Sequence, residues 1–129
     1  MPRHRSEGPS FSAEEFEALV RRALDGLPRR YRRLLENVAV VVEDSPSREV
    51  LDEVEVDSED DLLGLYQGQA RGTESFFDAG GNLPARIAIY RRPILRLCTT
   101  SEDVIQEVRD TVVHEIGHHF GLDDEEMPY

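Results

Sequence analysis

His114, Glu115 and His118 are the residues whose types and spacing specify chemistry most directly. They open the run His114-Glu115-Ile116-Gly117-His118-His119-Phe120-Gly121-Leu122-Asp123-Asp124. Residues four apart on a helix lie on one face, about one turn from each other. Two neutral imidazoles so placed can reach a single zinc ion with tetrahedral geometry. A glutamate directly after the first histidine projects to the same side and can act as general base toward a zinc-bound water. The pattern points to metal-assisted hydrolysis of an amide, with Zn2+ as cofactor, Glu115 as catalytic base and a peptide or protein as substrate.

A catalytic zinc normally has three protein ligands and a water. His114 and His118 supply two. Eight residues follow Gly121 in this sequence, so the third ligand is expected from that tail or from earlier in the chain. Read as His-Glu-x-x-His-x-x-Gly-x-x-Asp, the motif reaches from His114 through Gly121 to Asp124. Glycine can turn the chain there without strain and return it to the metal. Asp124 is the expected ligand, with Asp123 and Glu125 as its nearest competitors.

The helix that must carry these residues is legible upstream of them. Thr100 can cap it, with Asp103 three residues later. Val104, Ile105, Val108, Val112 and Ile116 form a stripe at helical spacing. His114, Glu115 and His118 fall on a separate stripe, rotated by about 130° on a helical wheel. One face should pack in a core and the other face a cleft. His119 projects with the core stripe and reads as a structural histidine.

Other elements are expected around it. Residues 1–10 read as a flexible, polar tail, and 11–129 as one domain. Ser12 with Glu15 forms a capping box. Phe16, Leu19, Val20, Ala23 and Leu24 follow at helical spacing until Gly26 and Pro28 end the helix. Tyr31, Leu34 and Leu35 suggest a short further helical turn. Val38 to Val42 reads as a strand buried on both faces. Residues 62–68 suggest a short strand, and 70–84 a loop. Arg86 to Tyr90 reads as a strand whose alternation predicts one buried and one more exposed face. In the acidic stretch 48–61, Val50, Leu51, Val54 and Val56 allow a partly ordered segment; a solvated face or loop is expected rather than a metal site, because the Gly and Asn or Asp spacings of a calcium loop are missing.

Charge restricts the partners. The 129-residue chain carries a formal net charge of −12. That argues against nucleic acid, whose phosphates need a basic surface. Arg86, Arg91, Arg92 and Arg96 form a basic block free of acids. It could neutralise acidic neighbours or favour acidic substrates, and neutralisation is the simpler expectation. Cys98 is the one cysteine, so no internal disulfide is expected, and its apolar surroundings suggest a buried structural thiol. No stretch approaches a membrane span or a secretory leader. A cytoplasmic protein without a membrane partner is expected. The sequence leaves the oligomeric state open.

Two blocks carry a family resemblance. One is Arg86-Ile87-Ala88-Ile89-Tyr90-Arg91-Arg92-Pro93-Ile94, and the other is the helix ending in His114 to Glu125. Together they look like the bacterial minimal zincin-like metallopeptidases. Val38–Val42 with Glu43-Asp44, and Leu63-Gly64-Leu65-Tyr66-Gln67-Gly68, also resemble blocks of that family. The glycine-spaced motif is similar to the metzincins, including those with aspartate as third ligand. Unlike metzincins, this sequence has no downstream domain for a methionine turn, and Met127 is too close to Asp124 for that role. The resemblance implies an α+β fold, a small mixed sheet packed against an N-terminal helix and a C-terminal active-site helix. It also implies a strand beside the metal that pairs with an extended peptide, and 86–90 would be that edge. The alternative function is a non-catalytic zincin-like module for metal binding or protein interaction, since a full substrate cleft would need residues 122–129 or a second subunit as its lower wall. Tyr90, Tyr129 and the nearby arginines are the possible oxyanion donors.

Overall fold

Ser12 begins the first helix, α1 (Ala13–Asp25), as its sequence predicts: its hydroxyl accepts from the Glu15 backbone N–H, and the Glu15 carboxylate accepts from the Ser12 N–H. The structure is a computed structural model that describes residues 11–68 and 85–120, the side chains of 118–120 excepted. Phe16, Leu19, Val20 and Ala23 bury one face of α1. Gly26 caps its C-terminus in a right-handed conformation. The Arg109 guanidinium lies against Gly26 and would have to shift to admit a Cβ there. Arg109 Nε in turn donates to the Ala23 carbonyl at 3.1 Å, tying the end of α1 to the last helix.

The short helix α2 (Arg29–Leu34) and a 3-10 turn (Leu35–Asn37) lead into strand β1 (Val38–Glu43). Helix α3 (Arg48–Val54) and a second 3-10 turn (Glu59–Asp61) precede strand β2 (Gly64–Gln67). Strand β3 (Ala85–Tyr90) runs directly into helix α4 (Arg91–Arg96), and the long helix α5 (Ser101–Phe120) closes the described chain. Pro93 fits in α4 because first-turn N–H groups have no helical partner to lose.

The three strands form one mixed sheet in the order β1-β3-β2. β1 pairs parallel with β3, from Val38 opposite Ala85 to Glu43 opposite Tyr90. β2 pairs antiparallel with β3, from Gly64 opposite Ile89 to Gln67 opposite Arg86. Helix α5 touches α1 and α2 as well as α4, β2 and β3, so the core assembles around it. Val104, Val108, Val112, Val113 and Ile116 of α5 are fully buried there with Phe16, Ala23, Ile87, Ile89 and Ile94. The arrangement is α+β, a small mixed sheet with helices, as expected.

Two local expectations are corrected. The 86–90 strand was expected to have an exposed face, but all of β3 apart from Arg86 is buried. It is the central strand, covered by a neighbour at each edge. β1, expected to be buried on both faces, is only half-buried, and among the described residues it has β3 alone beside it. The acidic stretch is partly ordered, as its interspersed apolar residues allow: Ser47 caps α3 through the Val50 N–H, and Leu51 is its buried anchor. Among the described residues no helix is long and apolar enough to cross a membrane.

Candidate functional site

Helix α5 carries His114 and Glu115 on a face apart from its buried core stripe, as the wheel predicts for those two. Its cap forms: Asp103 N–H donates to the Thr100 hydroxyl at 3.1 Å, and the Asp103 carboxylate accepts from the Thr99 and Thr100 backbone N–H groups. Those hydrogen bonds, the Thr99 backbone bond foremost, hold the Asp103 carboxyl below its usual range. The core stripe is buried throughout, Ile105 being the most exposed of it at 8 %. His114 is exposed on the other face and Glu115 is half-buried beside it.

Two contacts set these side chains. His114 Nδ1 lies 3.1 Å from the Asp110 carbonyl, one turn back on α5. A neutral ring that donates from Nδ1 to a carbonyl keeps its lone pair on Nε2, the form that ligates metal. Glu115 Oε1 accepts from the Tyr66 backbone N–H of β2 at 2.9 Å. The i−4 position of Asp110 was readable from the sequence, whereas Tyr66 is 49 residues from Glu115 and carries no local signal of the contact.

Both motif residues open on a cleft of about 440 Å³ between α5 and the chain entering β2. Leu62 and Gly64 line one wall, and Glu107, Thr111, His114 and Glu115 the other. Asp61 and Asp110 add two more carboxylates, and no arginine lines the cleft among the described residues. Burial first, and then the Asp110 charge, pushes the Glu107 carboxyl above its usual range.

The basic block lies elsewhere, and three of its four arginines are paired with acids. Arg86 pairs with Glu43 at 2.6 Å, Arg91 with Asp44 at 3.0 Å, and Arg96 with Asp60. Arg91 also donates to the Phe11 carbonyl at 2.7 Å. These pairs match the neutralising role expected of the block. Tyr90, one possible oxyanion donor, is buried and is not among the residues lining the cleft. Burial, with the Glu43 charge next, raises its hydroxyl above the ordinary value. Cys98 is buried, as expected.

His118 belongs to the same continuous helix as His114. Its side chain and that of His119 lie outside the described residues, as do Gly121, Asp123, Asp124, Glu125, Met127 and Tyr129. Among the described residues no three histidine, cysteine, aspartate or glutamate side chains converge on a metal position. Two of the three expected ligands are not among those side chains. The donor set of the motif still fits zinc, because His114 has the tautomer-fixing carbonyl that ligating histidines use.

A strand edge adjoins the site. Among the described residues β2, and not the 86–90 strand β3, is the sheet edge next to the motif helix. The expectation of 86–90 as the substrate edge is corrected accordingly.

The model of one protein family, described as zincin-like metallopeptidase, matches residues 35–129. That span takes in the whole sheet and the motif helix. Among solved structures, the chain is similar to a conserved hypothetical protein from Thermus thermophilus. The two are 26% identical with a TM-score of 0.53, over 85% of this chain and 94% of that one. No curated protein matches.

Proposed function

We propose, on the premise that this chain belongs to the zincin-like metallopeptidase family, that it is a zinc-dependent peptidase. The observation that carries this reading is the placement of His114 and Glu115 side by side on the cleft wall, with Glu115 anchored to the neighbouring sheet edge. His114, His118 and Asp124 would hold the metal. When bound, zinc lowers the pKa of its water toward ~7 and polarises the scissile carbonyl.

The chain's own groups do the rest. The Asp110 carbonyl holds the His114 ring in its ligating tautomer. Glu115 takes the proton of the attacking water and passes it to the leaving amine. Its Oε1 accepts from the Tyr66 N–H, which orients the carboxylate. The substrate would be an extended peptide: among the described residues β2 is the sheet edge beside the cleft, and a strand edge offers backbone groups for pairing.

Metal analysis of the purified chain, followed by peptide cleavage, tests the reading. About one zinc per chain is expected, with zinc lost in His114→Ala, His118→Ala and Asp124→Ala but kept in Asp123→Ala and Glu125→Ala. Zinc bound without cleavage of any peptide would favour the non-catalytic module instead.

A further inference from the structure

β2 and α5 run side by side in step. Gly64 packs on Thr111: a Cβ on Gly64 would meet Thr111 Cγ2 at 2.7 Å and the Ala88 carbonyl at 2.9 Å. Two residues on, the Tyr66 N–H meets the Glu115 carboxylate, four residues on from Thr111. Two strand residues rise about 6.6 Å. Four helical residues rise about 6 Å. The two elements therefore keep pace, and glycine at 64 lets them come close enough for the second contact.

The Tyr66 amide is also a particular kind of group. Along an antiparallel strand, N–H groups alternate between the paired side and the open side. The Leu63 carbonyl accepts from the Tyr90 N–H at 2.9 Å, so Leu63 faces β3, as do Leu65 and Gln67 by alternation. Gly64 and Tyr66 direct their backbone groups outward. The Tyr66 N–H is thus one of the donors that a peptide added to β2 would use, and Glu115 occupies it. Hydrogen bonds to a carboxylate are about twice as strong as neutral ones, so this donor is not readily exchanged for a peptide carbonyl.

We propose that the backbone N–H of Tyr66 is the positioning group for Glu115, so that the strand beside the cleft sets the base. This inference rests on the peptidase reading. It makes the orientation of Glu115 depend on β2 being in register, which α5 alone could not ensure.

Two measurements on the full-length, zinc-loaded chain test it. Tyr66→Pro removes the donor, and proline is tolerated in edge strands where the N–H faces outward. Tyr66→Ala loses the same ring but keeps the N–H. The kcat of Tyr66→Pro should lie about tenfold or more below that of Tyr66→Ala, with KM differing by less than about threefold. Equal kcat values overturn the proposal. Amide hydrogen exchange in Glu115→Ala supplies the arm that does not need the proline variant to fold. The Tyr66 amide should exchange about tenfold or more faster than in wild type, while the ladder amide of Leu65 keeps its rate. A Tyr66 amide indifferent to Glu115 overturns the positioning role alone. A wild-type chain that cleaves nothing overturns the peptidase reading and the positioning role with it.

Discussion

The Tyr66 N–H and the Glu115 carboxylate meet at 2.9 Å across 49 positions of sequence. One lies on a sheet edge and the other on the helix that carries the histidines. The candidate base is therefore held by two elements, and the relation between α5 and β2 is as much a part of the site as the motif itself.

That relation depends on Gly64. In Gly64→Val even the Cβ would press on Thr111 Cγ2 and the Ala88 carbonyl, and the carbonyl belongs to the central strand and has little room to yield. Overpacking of this kind costs about 1–3 kcal/mol. Chemical denaturation should register that loss. Cleavage activity should fall further than stability explains, because β2 moves away from Glu115.

Acid should erode the N-terminal end of α5 through Asp103. Its carboxyl is held below the ordinary value by the Thr99 and Thr100 hydrogen bonds. A depressed carboxyl stabilises the fold above its unfolded pKa, near 3.9, and that contribution fades as pH falls through the folded value. Wild type should therefore be more stable than Asp103→Asn at neutral pH. Melting curves of the two should converge below about pH 4.

Cys98 should be inert while the chain is folded. Burial foremost, with Glu107 and Asp103 adding to it, pushes its thiol up to about 11. Only the thiolate reacts with alkylating agents, and at pH 8 it makes up about a thousandth of the population. Alkylation with iodoacetamide should be slow in buffer and fast in denaturant. Rapid labelling of the native chain would contradict the buried placement.

Glu55 offers a stabilising change. It ends α3 at φ 60°, in the left-handed region. A side chain there costs about 1–2 kcal/mol, which glycine avoids at some entropic cost of its own. Glu55→Gly should leave the unfolding midpoint unchanged or raise it, by the equivalent of about 0.5–1 kcal/mol.

Much of this architecture was readable because it rests on local rules. The Ser12–Glu15 box, the Thr100–Asp103 cap and the 104–116 stripe each depend on residues within a few turns of one another, and all three form. Strand position in the sheet was not readable in the same way. Alternation in Arg86 to Tyr90 suggested one open face, yet pairing on both edges buries the strand. The run Val38 to Val42 looked buried on both faces but is only half-buried, at the sheet edge among the described residues. Periodicity reports side-chain direction, not how many strands lie alongside. Helix α3 was only partly legible beneath its charge, since Leu51 is its one buried anchor. At the site, the histidines and Glu115 announced themselves by spacing. Tyr66 takes part through its backbone, which no residue type reveals.

Cleavage of a peptide library by the zinc-loaded chain and by its Glu115→Gln variant tests the central claim most directly. The variant keeps the shape of the carboxylate but cannot take a proton. It should retain about the same zinc content as wild type and lose about 10²–10⁴-fold in kcat. Unchanged cleavage by Glu115→Gln would contradict the assignment of Glu115 as the base and the peptidase mechanism built on it.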